Sequence, residues 1–126
     1  MSRRYLAASG ILALLAVILG TLGSHVLPKV VSASLLETFD IGVRYHFHHA
    51  LGLGIVALAV PHFGLSGWFL WSARIMVIAV CLFSGSLYLL VITGQQWFAL
   101  ITPLGGVGFL IAWCLFIAGI LKSAKK

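Results

Sequence analysis

The sequence predicts an all-α fold, a four-helix transmembrane bundle, and three observations carry the prediction. First, 62% of the 126 residues are hydrophobic and only 8% are charged, with a mean hydropathy of +1.17. A soluble domain of this size has no interior large enough to hide such a surface. Second, the apolar residues fall into four runs, at about residues 5–27, 41–60, 68–93 and 102–121. Each is close to the ~20 residues a helix needs to cross a hydrocarbon core of ~30 Å. Third, lipid offers no partner to an open sheet edge or loop, so runs of this kind span as helices. The chain is read as one four-span membrane domain over residues 1–126.

The elements follow in order. The N-terminal stretch imitates a secretory signal, and Ser2-Arg3-Arg4 echoes a twin-arginine start, but it is read as a retained first span that ends at Pro28. Ser34-Leu-Leu-Glu37 fits a capping box and sets the start of helix two outside the membrane, as an amphipathic extension. There Leu36, Phe39 and Val43 share one side, while Asp40 and Arg44 stand i,i+4 on another. Pro61 bounds this span and Gly94 ends the third. Thr102-Pro103 opens the fourth, with threonine as N-cap and proline at the first helical position, after an interfacial Trp97-Phe98-Ala-Leu100-Ile101. Small residues at Ala16, Gly20 and Ser24, at Gly42, Ala50 and Gly54, and at Gly108 and Ala112 predict close helix packing within the chain.

Charge sets orientation and excludes some partners. Arg3, Arg4, Arg74, Lys122, Lys125 and Lys126 fall on one side of a four-span chain, which the positive-inside bias makes cytoplasmic, with both termini. The other side holds Lys29 and Arg44, balanced by Glu37 and Asp40, the only acids. The formal charge of +6 forms no basic patch interleaved with aromatics, so nucleic acid is not an expected partner. Cys81 and Cys114 lie in apolar runs without CxxC spacing and are read as small core hydrophobes.

The polar residues of the spans are the candidates for function. At ~100° per residue, Gly42, Tyr45, His46 and His49 fall on one face of helix two, and Asp40, Arg44 and His48 on roughly the opposite one. The second set reads as a solvated or headgroup stripe, and His62 as a loop histidine. The first is expected to face protein. An imidazole at the depth of His49 needs partners; His25, Ser84, Ser86, Tyr88, Thr93 and Thr102 all fall in the same outer half. The inner half reads as almost purely aliphatic.

These residues also carry a resemblance. Gly20-Thr-Leu-Gly-Ser-His25, Phe39-x-x-Gly42-Val-x-Tyr45-x-x-x-His49-Ala-Leu51, Phe83-Ser-Gly-Ser-Leu-Tyr88 and Thr102-Pro-Leu-Gly-Gly106, followed by Trp113, are similar in order and spacing to the motifs of the small integral membrane family known as domain of unknown function 423. That family includes bacterial inner-membrane proteins and the animal transmembrane protein 256. The resemblance implies a four-helix protein of the bacterial inner (plasma) membrane and no settled activity. It implies motif roles for His25, Tyr45 and His49, but not clearly for His46 and His48.

Three functions are weighed on this basis. The favoured one is a non-enzymatic, partner- or lipid-binding accessory membrane protein, in which His25, Tyr45, His49, Ser84, Ser86, Tyr88 and Thr102 form a buried polar network. Its partners are then the lipid bilayer and a partner protein or a homo-oligomer. The second is a metal or haem site built on His25 and His49, with His46 or Tyr45 assisting. The third is a small oligomeric transporter with histidine-coupled proton movement, although neither acid lies deep in a span. Catalysis is not expected: there is no HExxH, phosphate loop or serine with base and carboxylate, and Gly105-Gly106-x-Gly108 follows no strand.

Overall fold

The computed structural model describes residues 1–123; Lys125 and Lys126, two of the cations used for orientation, lie outside the described residues. Four helices make up the described residues: α1 (Ser2–His25), α2 (Ala33–Phe63), α3 (Gly67–Thr93) and α4 (Thr102–Lys122), with short 3-10 turns at Leu27–Lys29 and Gln96–Leu100. No strand occurs among the described residues.

Three helical segments, Ser2–Lys29, Gly67–Thr93 and Gln96–Lys122, are long and apolar enough to cross a membrane. Helix α2 does not qualify by composition, because its first half carries Arg44 and three histidines. It is nonetheless the longest, at 31 residues, or about 46 Å. It runs antiparallel between α1 and α3, so that neighbours supply the apolar surroundings its own sequence lacks. Its contacts show this: Phe39 lies against Gly23 and Gly54 against Ser9 of α1, while Gly42 lies against Tyr88 and Gly52 against Met76 of α3.

Helix ends correct several expectations in detail. The N-cap of α2 is Ser32, whose hydroxyl accepts from the Leu35 amide at 3.3 Å; Ser34 pairs with Ser32 at 3.2 Å, and the box with Glu37 does not form. An N-cap needs extended backbone, and Ser32 has it (ψ 161°) whereas Ser34 is already helical. Pro61 does not end α2, which continues to Phe63. A proline removes one ladder bond wherever it stands inside a helix and need not end it, and the stop is Gly64, at φ 84°. Gly94, at φ 73°, ends α3 as expected. Thr102 is the first helical residue of α4 and not its cap, which is Ile101; its hydroxyl is held by Ser86.

Sequential neighbours pack along their lengths, and α4 reaches α2 mainly through Phe109 and Trp113. The tightest approach is between α3 and α4, where Gly105 lies on Phe83, Gly108 on Ala79 and Gly119 on Phe69. The small-residue repeat on α2 does not face a single partner. Each four-residue step advances about 40° around a helix, so Gly42 meets α3 while Gly54, three steps on, meets α1.

Exposure corrects the reading of the cysteines: Cys81 and Cys114 are both exposed on the outside of the bundle. The inner half is likewise not purely aliphatic. Ser9 donates to the Ala50 carbonyl at 2.7 Å and Ser72 to the Ala112 carbonyl at 2.7 Å, both fully inside. At the end of the bundle that carries the termini, Arg74 sits over Trp71 (5.2 Å) and Lys122 over Trp68 (4.4 Å), pairs suited to a headgroup layer.

Candidate functional site

The polar residues singled out in the sequence form separate groups, and α2 positions the two central ones. His46 is buried, at 4% exposure. Its Nδ1 pairs with the Tyr88 hydroxyl of α3 at 2.9 Å. The Tyr88 ring rests over Gly42, where a Cβ would come within 3.0 Å of it, and packs on Phe39 with ring centres 5.0 Å apart. Beside this pair Ser84 donates to the Gly42 carbonyl at 2.6 Å. The α2–α3 contact is thus latched by one side-chain pair and one hydroxyl-to-backbone bond. His46, which the motif comparison set aside, is the histidine that meets Tyr88.

One turn on, His49 is directed to α4. Its Nδ1 lies 2.8 Å from the Tyr45 carbonyl, which can only accept, so Nδ1 carries the proton. Its Nε2 is therefore the acceptor and takes the Trp113 indole N–H at 3.0 Å. The ring also stacks on Phe109 at 3.6 Å between centres and 15° between planes. Both nitrogens are satisfied and the tautomer is determined. Tyr45 contributes its backbone to this arrangement; its side chain is 41% exposed and leans on Phe83 at 4.8 Å.

The remaining candidates lie elsewhere. Ser86 and Thr102 join at 2.6 Å and tie the end of α3 to the start of α4. Thr93 bonds within its own helix, to the Leu89 carbonyl. His25 is exposed at the end of α1. Because Gly23 lies on Phe39 and the helices are antiparallel, His25 is level with about residue 37. His49 is a dozen residues further along α2, some 18 Å away by the helical rise. The expected meeting of His25 with His49 and Tyr88 does not occur, because α1 ends where α2 is only beginning. The solvated stripe behaves as read: Arg44 and Asp40 pair at 2.6 Å, exposed, and His48 is exposed.

This geometry decides what the histidines can hold. A haem or metal between His25 and His49 has ligands at different depths. His49 moreover has no lone pair to offer while Trp113 occupies Nε2. Among the described residues no three His, Cys, Asp or Glu side chains come together as a metal cage. Sequence reasoning missed Trp113 as the donor to His49, together with Ser9 and Ser72. A signal for Ser9 was present: it stands seven residues before Ala16, and these two are the buried residues of α1.

Four antiparallel helices, apolar outside and joined inside by isolated hydrogen bonds, define a small polytopic integral membrane protein. Comparison with known proteins agrees. The family model described as "Protein of unknown function (DUF423)" matches residues 19–106, and the chain belongs to that family. It is 38% identical over 118 residues to the UPF0382 membrane protein YwdK of Bacillus subtilis, covering 94% of this chain and 96% of that one. It is 35% identical over 125 residues to the UPF0382 inner membrane protein YgdD of Escherichia coli K12, covering 99% and 95%. A third relative, the UPF0382 membrane protein SSP2132 of Staphylococcus saprophyticus, is 33% identical over 110 residues. No solved structure matches the chain. The protein is an integral protein of the bacterial inner (plasma) membrane.

Proposed function

We propose that this is a non-enzymatic accessory protein of the inner membrane, which binds a lipid or a partner protein on a bundle held in one arrangement by its buried hydrogen bonds. The observation that carries the reading is His49. Both of its nitrogens are engaged by the protein itself, one by the Tyr45 carbonyl and one by the Trp113 indole. A histidine so held positions α2 against α4 and has no free nitrogen for a metal or a transported proton.

The other bonds support the same reading. Ser9, Ser72 and Ser84 each donate to a backbone carbonyl of a neighbouring helix. In hydrocarbon neither group finds water, so each pair stabilises one helix register over its alternatives. The termini face the cytoplasm in this reading, with Arg3, Arg4, Arg74 and Lys122 at the inner surface.

The test replaces His49 by Gln or Asn in the full-length protein. The expected result is a lower unfolding midpoint in mild detergent, with an unchanged visible absorption spectrum and metal content relative to wild type. A bound chromophore or stoichiometric metal that the substitution removes overturns the reading.

A further inference from the structure

Where α1 ends and α2 begins, the two helices enclose a cavity of about 510 Å³, lined among others by Gly23, Ser24, Leu36, Glu37, Phe39 and Asp40. Its α1 wall is rich in acceptors. The Val26 amide closes on Leu22, and those of Lys29 and Val30 close on Val26 and Leu27, so the carbonyls of Gly23 and Ser24 end α1 without a backbone donor. They also carry the negative pole of the helix dipole. The α2 wall adds both acids of the chain. Asp40 is held by Arg44 at 2.6 Å, the one ion pair among the described residues, which leaves the Glu37 carboxylate without a counter-charge.

The cavity continues into the bilayer. At Gly20, Asp40 and Val43 it adjoins a second one of about 340 Å³, which follows the same α1–α2 seam past Ala16, Val17 and Phe47 and is lined also by Arg44 and His48. Val17 and Phe47 are exposed on the outside of the bundle, so this lower part opens to acyl chains. With the termini facing the cytoplasm, Glu37, Asp40 and Arg44 stand at the outer headgroup layer. The Arg44 guanidinium is drawn up to the level of Asp40, about 4.5 Å below Glu37 by the helical rise. One carboxylate on Arg44 leaves others of its five N–H donors free. From the outside inward, the groove thus presents a bare carboxylate, then a cation with donors to spare, then an apolar channel.

From this order we infer that the α1–α2 groove is a binding site for phosphatidylethanolamine, whose ammonium lies between Glu37 and the end of α1, whose phosphate meets Arg44, and one of whose acyl chains follows Ala16 and Val17. The headgroup carries cation, anion and chain in the complementary sequence. A primary ammonium brings three N–H donors to the acceptors of the upper cavity, where a trimethylammonium brings none. An anionic glycerol headgroup brings no cation to Glu37, and its phosphate enters a site where Glu37 and Asp40 outnumber Arg44. The inference deepens the lipid-binding part of the reading above and rests on it.

The test titrates the full-length protein, delipidated in mild detergent, with dioleoyl phosphatidylethanolamine, phosphatidylcholine or phosphatidylglycerol and reads bound lipid by native mass spectrometry. The expected result is that the ethanolamine lipid is held about tenfold more tightly than the choline lipid, the value of one hydrogen bond to a charged group, and the glycerol lipid more weakly than either. Glu37→Gln, at an exposed position with no ion pair to lose, is expected to abolish the preference for ethanolamine over choline at an unchanged unfolding midpoint. Arg44→Gln should weaken the ethanolamine and choline lipids alike. Equal binding of these two lipids by the wild-type protein overturns the inference and needs no variant to fold. A preference for the glycerol lipid, an ethanolamine preference that survives Glu37→Gln, or displacement of the lipid by equimolar water-soluble glycerophosphoethanolamine also overturns it. In each of these cases a lipid has still bound and the broader reading stands, whereas binding of no lipid at all removes the lipid-binding part of that reading too.

Discussion

Replacing Gly105 by Ala tests how closely α3 and α4 are packed. A methyl at Gly105 would lie 2.6 Å from the Phe83 Cβ and 2.7 Å from its Cα. Carbon atoms at rest are ~3.5–4.0 Å apart, so the shortfall is about 1 Å. The obstacle is backbone and Cβ, which no rotamer change can move. The helices must separate, and they do so beside the Ser86–Thr102 bond of 2.6 Å. Overpacking of this kind costs ~1–3 kcal/mol, and weakening an interhelical hydrogen bond in a membrane adds ~0.6 kcal/mol. Against this, alanine favours the helix over glycine by up to ~1 kcal/mol. The net expectation is a loss of about 0.6–2.6 kcal/mol. Gly106→Ala is the matched control, because its methyl would stand 3.9 Å from the Phe83 ring, an ordinary contact. Unfolding by sodium dodecyl sulfate titrated into mild-detergent micelles, followed by near-ultraviolet circular dichroism, measures both. If Gly105→Ala stays within about 0.5 kcal/mol of wild type, or if the two variants lose equally, the close approach of α4 to Phe83 is wrong.

Further expectations use the same unfolding assay. Trp113→Phe keeps the aromatic body but leaves His49 Nε2 without its donor, so stability falls by about 1–2 kcal/mol; a neutral result removes the indole–imidazole bond from the account. Ser9→Ala and Ser72→Ala each lose a bond to the backbone of a neighbouring helix and are expected to cost roughly 0.5–1 kcal/mol apiece. As the two bonds share no residue, the double variant should lose close to the sum, and strong coupling would contradict their independence. Gly94→Ala forces a side chain to φ 73°, at an expected ~1 kcal/mol, where Gly10→Ala, in open space, should cost nothing. Orientation is checked in cells: after both native cysteines are replaced by alanine, Lys29→Cys should react with a membrane-impermeant maleimide from the periplasm, and Ser123→Cys only after the inner membrane is opened. The reverse pattern inverts the topology.

Much of the fold was legible along the chain because the signals are local. Gly94 reads as a helix stop and has the left-handed backbone that makes it one. The apolar runs of α1, α3 and α4 match the segments able to span. The errors at Ser34 and Thr102 are of one or two residues, since serines at 32 and 34 compete for one cap and only backbone ψ separates them. Pro61 misled because the loss of one ladder bond does not by itself end a helix, which here runs on to Gly64 at positive φ. The polar residues were harder. The side of α2 that holds His46 and His49 was correctly placed toward protein. Their partners were not, for His46 took the Tyr88 hydroxyl and Trp113 took the role expected of His25 or Tyr88 toward His49.

That division has a physical cause. Sequence alone determined that this chain lies in a membrane as four helices, where most of them end, and that the face of α2 holding His46 and His49 cannot be left to hydrocarbon, because each of these depends on composition or on neighbours within a few residues. The tertiary structure decided which helix each polar group meets. In water, apolar periodicity marks the buried face; in a bilayer both the packed and the lipid-facing sides are apolar, so Cys81 on the outside and Val80 beside it in the interior look alike in sequence. Only the rotation and level of α2 between its neighbours separate His46 from His49, and those are set by glycines at the contacts and by bonds between residues some forty to sixty positions apart.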